Sequence, residues 1–267
     1  MQIGKMSIRS WRSAASMLAV AAIPSRAQHP RMHRVPPTLA RAEQLVVVTT
    51  ADWDTTAGSL WRFSRAAHDA AWHLDAPAIQ VVVGRTGLAW GVGFDDAGHS
   101  GPHKHEGDGK SPAGVFPLDT VFGFAPADSA RDVRLPYVQL TAGTDCVDDT
   151  ASAHYNTVID RERAAPVDWA SAEHMRNVGQ YRIGVIVGYN AAPPVAGRGS
   201  CIFLHIWNGP GSVTAGCTAF DADALASVIA WLEPRHHPAL VQLTAADYTR
   251  LRHAWMLPTL PPARHAR

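Results

Sequence analysis

Cys217 closes the short segment Thr214-Ala215-Gly216-Cys217, twelve residues after His205, and this pair has the types and spacing for nucleophilic chemistry. A free thiol has a pKa near ~8.5, so only a small fraction is thiolate at neutral pH. A neighbouring imidazole that accepts the proton gives a thiolate–imidazolium pair able to attack a carbonyl carbon. Gly216 lets the main chain come close. The amides of Ala215, Gly216 and Cys217 are then candidate donors to the oxyanion of a tetrahedral intermediate, worth about 3 kcal/mol for a donor. Plain packing is the alternative, with Cys217 a small buried hydrophobe and His205 a satisfied strand histidine.

The elements around the pair must bring it together. Residues 200–207 read as a strand, and alternation puts Cys201, Phe203 and His205 on one face. Trp207-Asn208-Gly209-Pro210-Gly211-Ser212 then makes a turn-rich loop back to Cys217. A helix is expected over 223–232, where Leu225, Val228, Ile229 and Leu232 share a face, and Pro234 stops it. A second helix is expected over 170–177, capped by Asp168 and packing through Trp169 and Met175. Further strands are expected at 45–50, 58–63, 78–83, 181–187 and 240–243. Many short strands broken by 21 glycines and 19 prolines predict a mostly β fold, a closed sheet or a sandwich with a few short helices.

Composition narrows the partners. A net charge of +1 and the lack of a basic stripe argue against a dedicated nucleic-acid binder. Lys5, Arg9 and Arg12, the apolar run 14–23 and Ser25-Arg26-Ala27 read as an export signal ending at residue 27. That run is too short to span a bilayer, and no later stretch is long and apolar enough. The expected order is signal 1–27, Pro-punctuated linker 28–42, catalytic domain 43–254 and a loose tail 255–267. An exported chain with three cysteines has an odd count. One thiol must stay free, pair between chains or do chemistry.

The segments Cys201-Ile202-Phe203-Leu204-His205 and Thr214-Ala215-Gly216-Cys217-Thr218-Ala219-Phe220 resemble the active-site segment of the L,D-transpeptidase (YkuD-type) family, in its subgroup with a short His-to-Cys loop. Residues 104–116, with Lys104, Glu106, Asp108 and Lys110, are similar to the same subgroup, as are Cys146-Val147-Asp148-Asp149 and Tyr155-Asn156. The likeness covers residues 45–251. It implies a mostly β catalytic domain that acts on peptidoglycan stem peptides, as donor and as acceptor, in cell-wall biogenesis and cell shape. Cys217 matches the nucleophile, His205 the general base, and Gly216 with its neighbours the oxyanion hole. The resemblance implies a thioester acyl-enzyme, no cofactor and no metal, capture by carbapenems, and a periplasmic location. The chain departs from the commoner pattern, with Ala215 in place of a second histidine and Thr218-Ala219 after the cysteine. The short loop favours 1,3-type over 3,3-type links. An L,D-carboxypeptidase or hydrolase using the same site, and a non-catalytic peptidoglycan-binding module, are the alternatives.

Other residues offer weaker chemistry. His99, His103, His105, Glu106 and Asp108 include types that ligate zinc, but known ligand spacings are missing and glycines make the segment a mobile loop. In the family reading Lys104, Glu106 and Asp108 contact substrate; a solvated charged turn is the other reading. Asp148 and Asp149, with Tyr155, suit an ammonium group, or are capping residues of a turn. Glu173 either faces the cleft or is helical surface charge. Trp207 is expected to line the substrate groove, and Thr214 to contact substrate. Pairing Cys146 with Cys201 would satisfy an oxidising compartment and leave Cys217 free.

Overall fold

The computed structural model describes residue 1 and residues 34–67, 69–94 and 100–262. The expected export signal and His99 lie outside the described residues. The chain runs through helix α1 (Pro37–Arg41) and strands β1 (Gln44–Thr50), β2 (Ala57–Ser64), β3 (His73–Val82), β4 (Leu88–Trp90) and β5 (Ser111–Gly123). Next come β6 (Tyr137–Gln139), β7 (Thr144–Val147), β8 (Val158–Asp160), β9 (Ala172–His174) and β10 (Ile183–Val187). Strands β11 (Phe203–Ile206) and β12 (Thr218–Phe220), helix α2 (Ala222–Trp231), strand β13 (Ala239–Thr244) and helix α3 (Ala245–Leu251) complete it.

Of the two expected forms, the closed sheet is the one observed. The sheet runs β10-β11-β12-β3-β2-β1-β13-β5, and β5 pairs again with β10, which closes the ring. Strand β5 does this by changing partner along its length. Its first half pairs with β13 (Gly114↔Gln242 to Pro117↔Ala239), its second with β10 (Leu118↔Val187 to Gly123↔Ile183). Closure leaves these strands no open edge to pair with another chain. β4 and β6 lie parallel to β5 at its two ends.

The core is built from valines and leucines of the strands, and β1 is buried on both of its faces. Val46, Val47, Val48, Leu60, Val81, Leu118, Val121, Val185, Leu204 and Val241 are all buried. Helix α2 lies on β10 and β11 and buries Leu225, Val228 and Ile229, as its spacing predicts. Asp221 caps it by accepting from the amides of Asp223 and Ala224.

A second, three-stranded sheet, β8-β7-β9, stands against the barrel. The expected helix over 170–177 is replaced here by β9 and a 3-10 turn over Met175–Asn177. Pairing wins over helix propensity, because Ala172, Glu173 and His174 meet Val147, Cys146 and Asp145 in register. Asp168 caps no helix and instead accepts from Ser152 Oγ and the Ala153 amide. A small cluster of Phe122, Leu140, Cys146, Met175, Tyr181, Cys201, Phe203 and Cys217 fills the seam between this sheet and the barrel.

Residues flanking both ends of the expected domain pack on the barrel. Residues 37–41, expected inside a linker, form α1, and Leu39 and the following Ala42 are buried in the core. The buried Arg65 holds them, donating to the carbonyls of Ala42 at 2.7 Å and Leu39 at 2.9 Å. The expected loose tail starts with buried Trp255 and Leu257, and Tyr248 Oη donates to the carbonyl of Pro258. Among the described residues no helix is long and apolar enough to cross a membrane.

Candidate active site

The strand carrying His205 is shorter than its sequence suggests. Cys201 has φ +56°, in the left-handed region that L-residues rarely adopt, so pairing begins only at Phe203. Asn156 fixes this bend by accepting the Cys201 amide at 2.9 Å. The alternation holds from there, and Phe203 and His205 both pack on the ring of Tyr181, at centroid distances of 5.4 and 5.2 Å. β11 and β12 run parallel with His205 beside Ala219. Cys217 precedes Ala219 by two residues and so shares its face.

The main chain at Cys217 is tightly fixed. Its carbonyl accepts from Thr214 Oγ1 at 2.6 Å and from Ser111 Oγ at 2.8 Å. Ser111 Oγ in turn accepts from the Gly84 amide. Gly84 allows this approach, since a Cβ there would lie 2.2 Å from the Gly109 carbonyl oxygen. The sulfur accepts from the Phe203 amide at 3.3 Å, and its thiol donates to the Cys201 carbonyl at 3.4 Å.

Cys146 and Cys201 form a disulfide, and Cys217 is a free, buried cysteine. Cys217 and His205 line one cavity of about 450 Å³. Gly216, Ala215, Thr214, Trp207, Lys104, Glu106, Asp148 and Glu173 line it too. Two expected contacts stand one step back. Tyr155 is buried and donates to Glu106 Oε2 at 2.5 Å, while Ser200 Oγ donates to the same oxygen. Asp108 holds Lys104 Nζ at 2.5 Å and accepts from the amides of His105 and Lys110. Asp149 is a turn residue, accepting from the amides of Ala151 and Ala170.

The segment around Lys104 is no mobile loop. Lys104 is 3% exposed, its amide donates to the Trp90 carbonyl, and the Glu106 amide donates to the Gly197 carbonyl. Among the described residues no group of three or more His, Cys, Asp and Glu side chains is placed to hold a metal ion.

The electrostatics describe a resting, neutral pair. Burial pushes the Cys217 thiol well above its ordinary range, and the charge of Glu173 pushes it further. The Phe203 amide, the Tyr181 hydroxyl and the Lys104 charge oppose that rise. Burial lowers the His205 pKa, opposed by its bond to the Ile206 carbonyl. That bond, from Nδ1 at 2.8 Å, fixes the tautomer and leaves Nε2 as the acceptor. Burial also raises Glu173, whose charge is opposed by Asp148 and Glu106 and favoured by Tyr181.

One expected oxyanion donor is already engaged, because the Gly216 amide donates to Thr214 Oγ1 at 3.2 Å. Gly216 still serves close approach, since a Cβ would sit 3.1 Å from the Lys110 carbonyl oxygen. Sequence reasoning missed Tyr181, Ser111 and Arg85. Tyr181 and Arg85 line the cavity and Ser111 anchors Cys217. Only the aromatic type of Tyr181 gave a signal, and it read as strand. The chain matches no protein-family model, no curated protein and no solved structure.

Proposed function

We propose that the protein is a cysteine acyltransferase of the peptidoglycan L,D-transpeptidase type, acting in the periplasm. One observation carries the reading: the cysteine left outside the disulfide shares a polar, groove-like cavity with a histidine whose free nitrogen is Nε2. In this reading His205 Nε2 takes the thiol proton and Cys217 Sγ bonds to the carbonyl carbon of an L-to-D peptide bond. The C–N bond breaks, and the leaving amine takes the proton from His205. A thioester remains. The amine of a second stem then attacks it, giving its proton to His205 and freeing the sulfur.

The cavity supports this chemistry in three ways. Its carboxylates, Glu106, Asp148 and Glu173, suit a substrate amine, and Lys104 and Arg85 suit a substrate carboxylate. Trp207 offers a flat apolar wall. The amides of Ala215 and Cys217 are the donors proposed for the oxyanion. The links formed are of the 1,3 type in this reading.

The test is to incubate the purified protein with muropeptides of defined stem length and read the products by mass spectrometry. Crosslinked dimers and an acyl adduct on Cys217 are expected, both absent in Cys217→Ala. Shortened monomers without dimers would replace the reading with a carboxypeptidase or hydrolase. No adduct and no product would leave a binding module.

A further inference from the structure

Tyr181 is a polar residue of the cavity that the Cys–His scheme does not use. It is buried in the seam cluster with Cys217 and lines the same cavity. Its ring stands edge-on to His205 at 5.2 Å, and its hydroxyl donates to Glu173 Oε2 at 2.8 Å. A phenol has one proton to donate, and in this structure the Glu173 carboxylate accepts it, while the sulfur of the neighbouring Cys217 would become a competing acceptor as a thiolate.

We propose that Tyr181 is a third catalytic residue, whose hydroxyl proton turns from Glu173 to the Cys217 sulfur when the thiolate forms, and that Glu173 is the positioning residue that holds this proton in the resting state. The inference deepens the cysteine acyltransferase reading and rests on Cys217 being its nucleophile. No covalent bond changes at Tyr181. The thiol proton goes to His205 Nε2, while the phenol keeps its own proton and exchanges one acceptor for the other. The phenol and the Phe203 amide then both donate to the sulfur anion, whose residue is buried.

Glu173 acts in the opposite sense. Its carboxylate draws the phenol proton away from the sulfur and adds a negative charge to the same cavity. The charged and titratable groups facing this pair are His205 from β11, Lys104 from the strap before β5, Asp148 after β7, and Glu106 and Arg85 across the cavity. They are common to the wild type and both variants below, so a difference between variants reports the Glu173–Tyr181 pair.

The measurement is the pH profile of Cys217 alkylation by iodoacetamide, followed by mass spectrometry on the intact, disulfide-bonded protein. Tyr181→Phe is expected to move the midpoint to higher pH and slow alkylation at pH 7.5 by about tenfold, one unit of thiol pKa. Glu173→Gln keeps the outline of the side chain, and is expected to move the midpoint to lower pH and speed alkylation several-fold. A merely structural role would move both variants the same way or neither. An unmoved midpoint in Tyr181→Phe, or an upward or absent shift in Glu173→Gln, overturns the proposal. If Tyr181→Phe does not fold, the sign of the Glu173→Gln shift decides alone. The readout needs no peptidoglycan, so a protein inert on stem peptides that still shows opposite shifts keeps this inference and loses the proposed activity.

Discussion

The main-chain N–H of Phe203 points at the sulfur of Cys217 across 3.3 Å, so the strand that presents His205 also fixes the thiol. Strand β11 thus carries the imidazole on its own residue and ties the sulfur to itself by a main-chain hydrogen bond, which suits a reaction requiring a defined approach.

Replacing Cys217 by Ala should abolish covalent capture by a carbapenem while leaving the far-ultraviolet circular dichroism unchanged. The side chain is small, and its loss removes one sulfur from the seam cluster. Retained capture, mapped to another residue by peptide mass spectrometry, would reject Cys217 as the nucleophile. His205→Ala should slow capture by about a hundredfold or more through loss of the base.

Stability should fall at both ends of the pH scale for identifiable reasons. The folded-state pKa of His205 lies below its ordinary value of 6.5, so the unfolded chain binds the proton more readily. Its contribution is present above pH 6.5 and is lost as pH falls from there through the lower folded-state pKa. Cys217 is raised above its ordinary value of 9.0, so its contribution is present below pH 9.0 and is lost as pH rises beyond it. Chemical denaturation from pH 4 to pH 11 should therefore show a shallower alkaline fall in Cys217→Ala and a shallower acid fall in His205→Gln. Identical slopes to the wild type would remove these groups from the balance.

A thiol count on unfolded, unreduced protein should return one. Cys146→Ala combined with Cys201→Ala should cost about 2–5 kcal/mol in denaturant unfolding, because the bond closes a loop with a sequence separation of 55. A count of three would mean the bond is absent in solution.

Deleting the chain through residue 42 should destabilise the barrel by several kcal/mol, an effect that a true linker would not have. Leu39 and Ala42 leave the core, and the buried guanidinium of Arg65 loses the carbonyls that accept from it. Unchanged unfolding midpoints in the truncated protein would contradict the packing described.

The Cys217–His205 pairing in one cavity is legible in the sequence because its parts are close along the chain. His205, the turn and Cys217 fall within one strand–loop–strand unit, and their residue types speak for themselves. Helix α2 was legible through its apolar spacing and Pro234. Strand β5 was not, because Pro112, Gly114 and Pro117 break the usual strand pattern. Pro117 sits where the strand changes partner, which is where a missing ladder donor does least harm. Glu173 reads in the sequence as a helix residue, facing the cleft or solvent, since only pairing with a strand nearly thirty residues upstream makes it β. Ser111 and Tyr181 reach Cys217 across separations of 106 and 36 residues, distances at which local pattern carries no information.

The Cys146–Cys201 bond encloses an exposed stretch, residues 191–196. A protease that severs the backbone there would leave Glu173 and Tyr181 on one fragment and His205 and Cys217 on the other. The sulfur bridge would keep the fragments as a single covalent species until a reductant was added. The molecule can thus lose continuity of its main chain without its two half-sites drifting apart.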